Sequence, residues 1–119
     1  MDNNNETKGV DSILMSTLLS LGVPVERLRF TGKADTYITF QLLNGRGDSY
    51  ADDDETAREH YYGAELYSKG NYIALLSEIR TKLKAAGFYG ISISAETYER
   101  DTGFNHVSFD FYYMEDLEE

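Results

Sequence analysis

Three stretches of this chain alternate apolar and polar residues with period two, a fourth is extended in character, and two others repeat apolar residues at helical spacing. Their order along the chain constrains the fold more than any other feature. Residues 106–113 are the clearest ribbon: Val107, Phe109, Phe111 and Tyr113 alternate with His106, Ser108, Asp110 and Tyr112. In residues 36–43, Ile38, Phe40 and Leu42 share one side, and Tyr37, Thr39 and Gln41 the other. Residues 57–67 are extended in character, with His60, Tyr61, Tyr62, Leu66 and Tyr67. Residues 89–98 set Ile91, Ile93 and Ala95 against Ser92, Ser94 and Glu96. Strands of this kind bury one face and leave the other to solvent or to a partner.

The helical spacing falls in residues 10–21 and 72–86. Val10, Ile13, Leu14, Leu18 and Leu21 form one stripe, and Gly22 with Pro24 closes that helix. Tyr72, Leu75, Leu76, Ile79, Leu83 and Ala86 form the second stripe. Asn71 offers cap chemistry before it, Arg80, Lys82 and Lys84 suit the negative end of its dipole, and Gly87 ends it with Phe88 folding back. Arg27–Phe30 is a further short extended candidate. The order α-β-β-α-β-β predicts an α+β domain: a mainly antiparallel sheet with both helices on one face. The 119 residues suffice for one domain, 1–119, and not for two. Residues 1–9 and 115–119 read as disordered tails. Residues 44–55 read as a long exposed loop, because Asn44-Gly45-Arg46-Gly47-Asp48 is rich in turn formers and Asp52-Asp53-Asp54-Glu55 packs four carboxylates together.

Charge narrows the function. Acids outnumber bases 21 to 11, a formal charge of −10, which disfavours phosphate backbones and anionic lipid surfaces. The absence of cysteine excludes disulfides, thiolate metal sites and thiol nucleophiles. The first residues lack the basic and apolar regions of a signal peptide, and no apolar run approaches the ~20 residues that span a bilayer. His60 and His106 have no partner at metal-ligand spacing, and the acidic run lacks the alternation of a calcium loop, so neither metal nor cofactor is expected. No nucleophile, phosphate-binding or dinucleotide motif occurs, so no catalytic residue is assigned and no enzyme is expected. Arg46-Gly47-Asp48 spells an adhesion tripeptide but reads as a turn. The aromatics carry more: ten tyrosines and six phenylalanines, no tryptophan. Tyr37, Tyr61, Tyr62 and Tyr112 are placed as candidates for an interface on the sheet's second face, since exposed aromatic rows on a small domain are usually covered.

Four segments carry a resemblance: Thr36-Tyr37-Ile38-Thr39-Phe40-Gln41-Leu42-Leu43, Asp52-Asp53-Asp54-Glu55, Tyr67-Ser68-Lys69-Gly70-Asn71-Tyr72 and Ala85-Ala86-Gly87-Phe88, followed by a terminal strand rich in Phe and Tyr. In this order they resemble the tail-completion proteins of long-tailed bacteriophages and prophages, also called tail terminators or tail-to-head joining proteins. The resemblance covers roughly residues 10–114. It implies a small, non-enzymatic α+β subunit that forms a ring, commonly a hexamer, on the end of the tail tube and joins it to the head. Its partners would be copies of itself, the tail-tube protein and head-connector proteins. DNA would pass through the ring without sequence-specific binding, and no membrane is involved. The chain would be made in the bacterial host cytoplasm and end in the virion tail. Asp48, Asp52, Asp53, Asp54 and Glu55 would then form an interaction loop, projecting toward tube or lumen. The alternative is an acidic module that mimics DNA or inhibits a DNA-binding enzyme; it is motivated by the net charge and predicts carboxylates spaced like phosphates along one face.

Overall fold

The computed structural model describes residues 9–51 and 54–117, with residues 44–51 and 54–55 described through their backbone. The elements are α1 (Gly9–Leu19), β1 (Val25–Arg27), β2 (Thr36–Ala51), β3 (Asp54–Ser68), α2 (Ile73–Ala85), β4 (Tyr89–Glu99) and β5 (Phe104–Asp116). The strands form one sheet in the order β1-β2-β3-β5-β4; β1 runs parallel to β2 and every other pairing is antiparallel. This is the expected α+β architecture with one short strand added.

Local chemistry ends each helix. In α1, Val10, Leu14 and Leu18 recur every four residues and are buried. The Leu21 and Gly22 N–H groups then donate to the carbonyls of Leu18 and Leu19, and Gly22 takes a φ of +85°. In α2, the Asn71 Oδ1 accepts from the Ile73 N–H at 3.0 Å and satisfies an otherwise unpaired donor of the first turn. At its far end Phe88 N–H donates to the Leu83 carbonyl and Gly87 N–H to that of Lys84, with Gly87 at φ +104°. That is the paired-carbonyl stop that glycine permits at least cost.

Both helices lie on one face of the sheet, and the alternation on the strands supplies what they cover. Ile38, Leu66 and Val107 align across β2, β3 and β5; so do Phe40, Ala64 and Phe109; Leu42, Tyr62 and Phe111 make the third rung. All but Leu42 are buried, together with Ile79, Leu83 and Phe88 from the helix α2 side. Edge-on ring contacts of Phe111 with Phe88, at 5.4 Å between centroids, and of Phe40 with Tyr62, at 6.2 Å, fill the space between rungs.

The structure corrects five sequence expectations. Residues 44–51 and 54–55 are strand, not loop, continuing the β2–β3 hairpin through Ala51 opposite Asp54. Register shifts after Leu42, Gly47 and Ser49 absorb the glycine-rich stretch, so turn-forming residues become bulges within a paired ribbon. Asp52 and Asp53 lie outside the described residues. The tail at 115–119 is shorter than expected: Glu115 and Asp116 pair with Arg58 and Ala57 because β3 is long enough to receive them. The extended stretch of Arg27–Phe30 falls instead at Val25–Arg27, and Leu28, at φ +73°, ends it. On β4, shifts between Tyr89 and Ser92 and between Ile93 and Ala95 move Ala95 off the face of Ile93. They bring Glu96 to the helix side, where it accepts a hydrogen bond from the Tyr72 hydroxyl. Finally, Tyr62 faces the core and not the bare side of the sheet. No helix among the described residues is long and apolar enough to cross a membrane.

Candidate functional site

With both helices on one side, no helix or strand among the described residues lies over the opposite face of the sheet. Its residues follow from strand parity: Tyr37, Thr39 and Gln41 on β2; Glu59, Tyr61, Gly63, Glu65 and Tyr67 on β3; His106, Ser108, Asp110 and Tyr112 on β5. Two aromatic ladders cross it. At one end Phe30 stacks on Tyr37 at 4.3 Å, Tyr37 on Tyr67 at 4.7 Å, and Tyr67 on His106 at 4.4 Å. Phe104 meets Tyr37 and Tyr67 edge-on. At the other end Tyr61 stacks on Tyr112 at 4.6 Å and Tyr112 on Tyr89 at 5.8 Å. Directly opposed aromatic pairs on neighbouring strands stabilise the sheet, and their outer surfaces remain available to a partner.

Between the ladders runs a polar band. Glu65 Oε1 accepts from His106 Nε2 and from the Ser108 hydroxyl, each at 2.5 Å, and Glu99 lies 3.9 Å from His106 Nδ1. Ser92 donates to Asp110 at 2.9 Å, and the Tyr89 hydroxyl to Glu59 at 2.6 Å. A serine, a histidine and a carboxylate thus sit together, but Ser108 and His106 both bond the carboxylate. The serine–histidine bond that activates a hydroxyl is not made. The band orders the aromatic rings. Partial burial, and then the neighbouring carboxylates, raise the phenols: Glu99 acts on Tyr37, and Glu65 on Tyr67. For Tyr61 the hydrogen bond to Asp110 follows desolvation as the cause. All remain neutral donors at physiological pH.

At the corner where Phe30 caps the first ladder, a cleft of about 380 Å³ opens between residues 30–35 and the end of β3. Phe30, Tyr37 and Phe104 supply apolar walls, and Lys33, Asp35 and Lys69 line it, with Lys69 Nζ 5.0 Å from the Phe104 ring centroid. A smaller hollow on the helix side holds Asp11, Arg27, His60, Tyr62 and Glu115. There Arg27 Nε bonds Asp11 at 2.9 Å and His60 Nε2 meets Glu115 at 2.8 Å. No group of three metal-ligating side chains occurs among the described residues.

Of the residues singled out in the sequence, Tyr37, Tyr61 and Tyr112 lie on the bare face. Tyr62 is 2% exposed and donates its hydroxyl to Asp11 beneath α1. Neighbours on one strand point to opposite faces, so Tyr61 and Tyr62 could not both serve. The side chains of Asp48, Asp54 and Glu55, and all of Asp52 and Asp53, lie outside what the structure describes. Sequence reading missed Tyr67 and His106, which share the parity of Tyr61 and Tyr112. It also missed Phe30, which belongs to no long strand and reaches Tyr37 only through the fold. Neither a scan against protein-family models nor a search of curated protein sequences returns a match.

Proposed function

We propose that this chain is a non-enzymatic structural subunit of a long-tailed bacteriophage or prophage. It forms a ring on the end of the tail tube, stops tube growth and joins the tail to the head-connector proteins. One observation carries this reading: among the described residues no helix or strand covers the sheet face opposite the two helices, and two stacked aromatic ladders cross it. Aromatic residues are enriched where proteins meet. Support also comes from where the resembling segments fall. Thr36–Leu43 opens β2, the Tyr67–Tyr72 segment joins β3 to α2, and Ala85–Phe88 is the turn that stops α2. A hairpin running from Thr36 to Ser68 gives such a subunit an arm.

The test is electron microscopy of the purified chain mixed with tail tubes. Added protein should leave density on one tube end and halt elongation. Tubes that keep growing and show bare ends at saturating protein refute the reading.

A further inference from the structure

Between the two aromatic ladders the bare face of the sheet is low. Two rungs separate them: Thr39, Glu65, Ser108 and Ala95 align across β2, β3, β5 and β4, and Gln41, Gly63, Asp110 and Ser92 form the next. Gly63, Ser92, Ala95 and Ser108 among these are small. Tyr61 and Tyr67, one from each ladder, stand roughly 20 Å apart along β3. The rings therefore wall a trough that crosses the strands. Its two rungs carry Glu65 and Asp110 and no lysine or arginine, and Glu99 lies beside His106 in one wall. At the β2 end Leu43 is 45% exposed and lies over Gly63, where a Cβ would be 3.1 Å from Leu43 Cδ1. Asp110 is two strands away from β2, roughly 10 Å. The trough is thus apolar at one end and acidic further along.

The outer side of α2 has the matching order. Ile73, Ser77, Arg80, Thr81 and Lys84 are exposed and recur at three- and four-residue steps, on the side turned away from buried Ile79 and Leu83. Ile73 is 62% exposed, and Arg80 and Lys84 lie roughly 10 and 16 Å further along the axis. Ser77 and Thr81 are short enough to let the backbone approach a floor of small residues. A helix measures about 10–12 Å across with its side chains, which the trough admits. Laid across the strands with Ile73 over Leu43, it brings Arg80 and Lys84 over Asp110 and on toward β4. Arg80 gives one N–H to the Ile91 carbonyl at 3.3 Å and keeps its other donors. The charges also agree: α2 sets Arg80, Lys82 and Lys84 against Glu78 alone. Helix α2 and the trough lie on opposite faces of the sheet, so a chain cannot fill its own trough, and the helix that fits is that of a second copy.

We infer that copies of this chain join through unlike faces, the outer side of α2 on one copy lying in the trough between the aromatic ladders of the next. The inference rests on the ring reading above and supplies its contact. Two different patches meet at each junction, and a tilt between successive copies closes such a series into a ring.

A charge swap tests it, with Lys84→Glu on the helix and Asp110→Lys in the trough. Folding is checked by thermal unfolding and association by sedimentation at low salt. The wild-type chain should self-associate, and each single variant should lose at least about tenfold in association. Asp110→Lys lowers the net negative charge, so general repulsion between copies falls and a loss reports the local contact. The chain carrying both substitutions should regain association, because the reversed charges face each other again. If the lysine variant unfolds, Asp110→Asn replaces it and should lose at least about threefold. A folded single variant that associates like the wild type overturns the inference, as does a folded double variant no better than the singles. A wild-type chain that stays monomeric at millimolar concentration also overturns it. If folded single variants still cap tail tubes as the wild type does, the helix-in-trough contact is wrong and the ring reading stands. If the swap behaves as expected but the wild type leaves tubes bare, the contact stands and the ring reading falls. A wild-type chain that neither associates nor caps tubes removes both.

Discussion

Tyr62→Phe removes one oxygen from the centre of the helix–sheet interface and should be felt in two pH ranges. The hydroxyl donates to Asp11 of α1 from a ring that is 2% exposed. A hydrogen bond to a charged acceptor contributes about 1.5–3 kcal/mol. Asp11 keeps its ion pair with Arg27, and its side chain is 35% exposed, so solvent screening reduces that figure to about 1–2 kcal/mol. With about 2.1 cal/mol/K of unfolding entropy per residue, the midpoint should drop by about 4–8 °C. The second effect is alkaline. Burial, and then the bond to Asp11, push the phenol well above its ordinary value of 10.0. Below about pH 10 the tyrosine is protonated in both states and contributes no slope. Above it the unfolded chain loses the proton and the folded chain keeps it, so stability falls by about 1.36 kcal/mol per pH unit from this group. Tyr62→Phe should therefore lower stability at neutral pH and flatten the alkaline decline by one proton. Urea unfolding at a series of pH values measures both. A neutral-pH loss under about 0.5 kcal/mol with an unchanged alkaline slope would show that the hydroxyl does not hold α1 to the sheet.

Three other substitutions address separate parts of the argument. Ile79→Ala, at a 2% exposed position under α2, should cost about 2–5 kcal/mol by denaturant unfolding, since the cavity cannot collapse against the rigid rungs. Gly90→Ala should cost more than Gly22→Ala: both have positive φ, but a Cβ at Gly90 lies 2.9 Å from Tyr112 Cδ1, whereas nothing lies within 4 Å at Gly22. Equal losses in thermal unfolding would mean backbone strain alone sets the cost. Changing Asp52, Asp53, Asp54 and Glu55 to serine should leave the unfolding midpoint within a few degrees and weaken capping of tail tubes; a collapse of the midpoint would make these residues structural.

The sequence announced the core because period-two and helical spacing are local properties. Val107, Phe109 and Phe111 could be assigned to one face before any strand partner was known. It misread the hairpin because glycine and asparagine are turn formers only when nothing pairs beside them. Once β3 is held along its length by β5, the stretch Asn44–Gly47 finds partners from Tyr61 to Arg58 and is drawn into the sheet. Bulges are equally invisible: one extra residue between Ile93 and Ala95 reverses the side on which Ala95 and Glu96 emerge, and no composition signals it. On the bare face, Tyr37, Tyr61 and Tyr112 were legible as aromatic residues at outward parity. The ladder from Phe30 to His106 was not, because it joins four segments that only the tertiary fold makes adjacent.

The paired rings give the molecule a built-in optical reporter. With no tryptophan in the chain, near-ultraviolet absorption and emission come from tyrosine, with phenylalanine a weak background. Tyr37 and Tyr67, and likewise Tyr61 and Tyr112, sit nearly parallel at under 5 Å, close enough for their electronic transitions to couple. Near-ultraviolet circular dichroism of the intact chain therefore carries a signal from these stacked rings, and any contact made with them can be watched without attaching a dye.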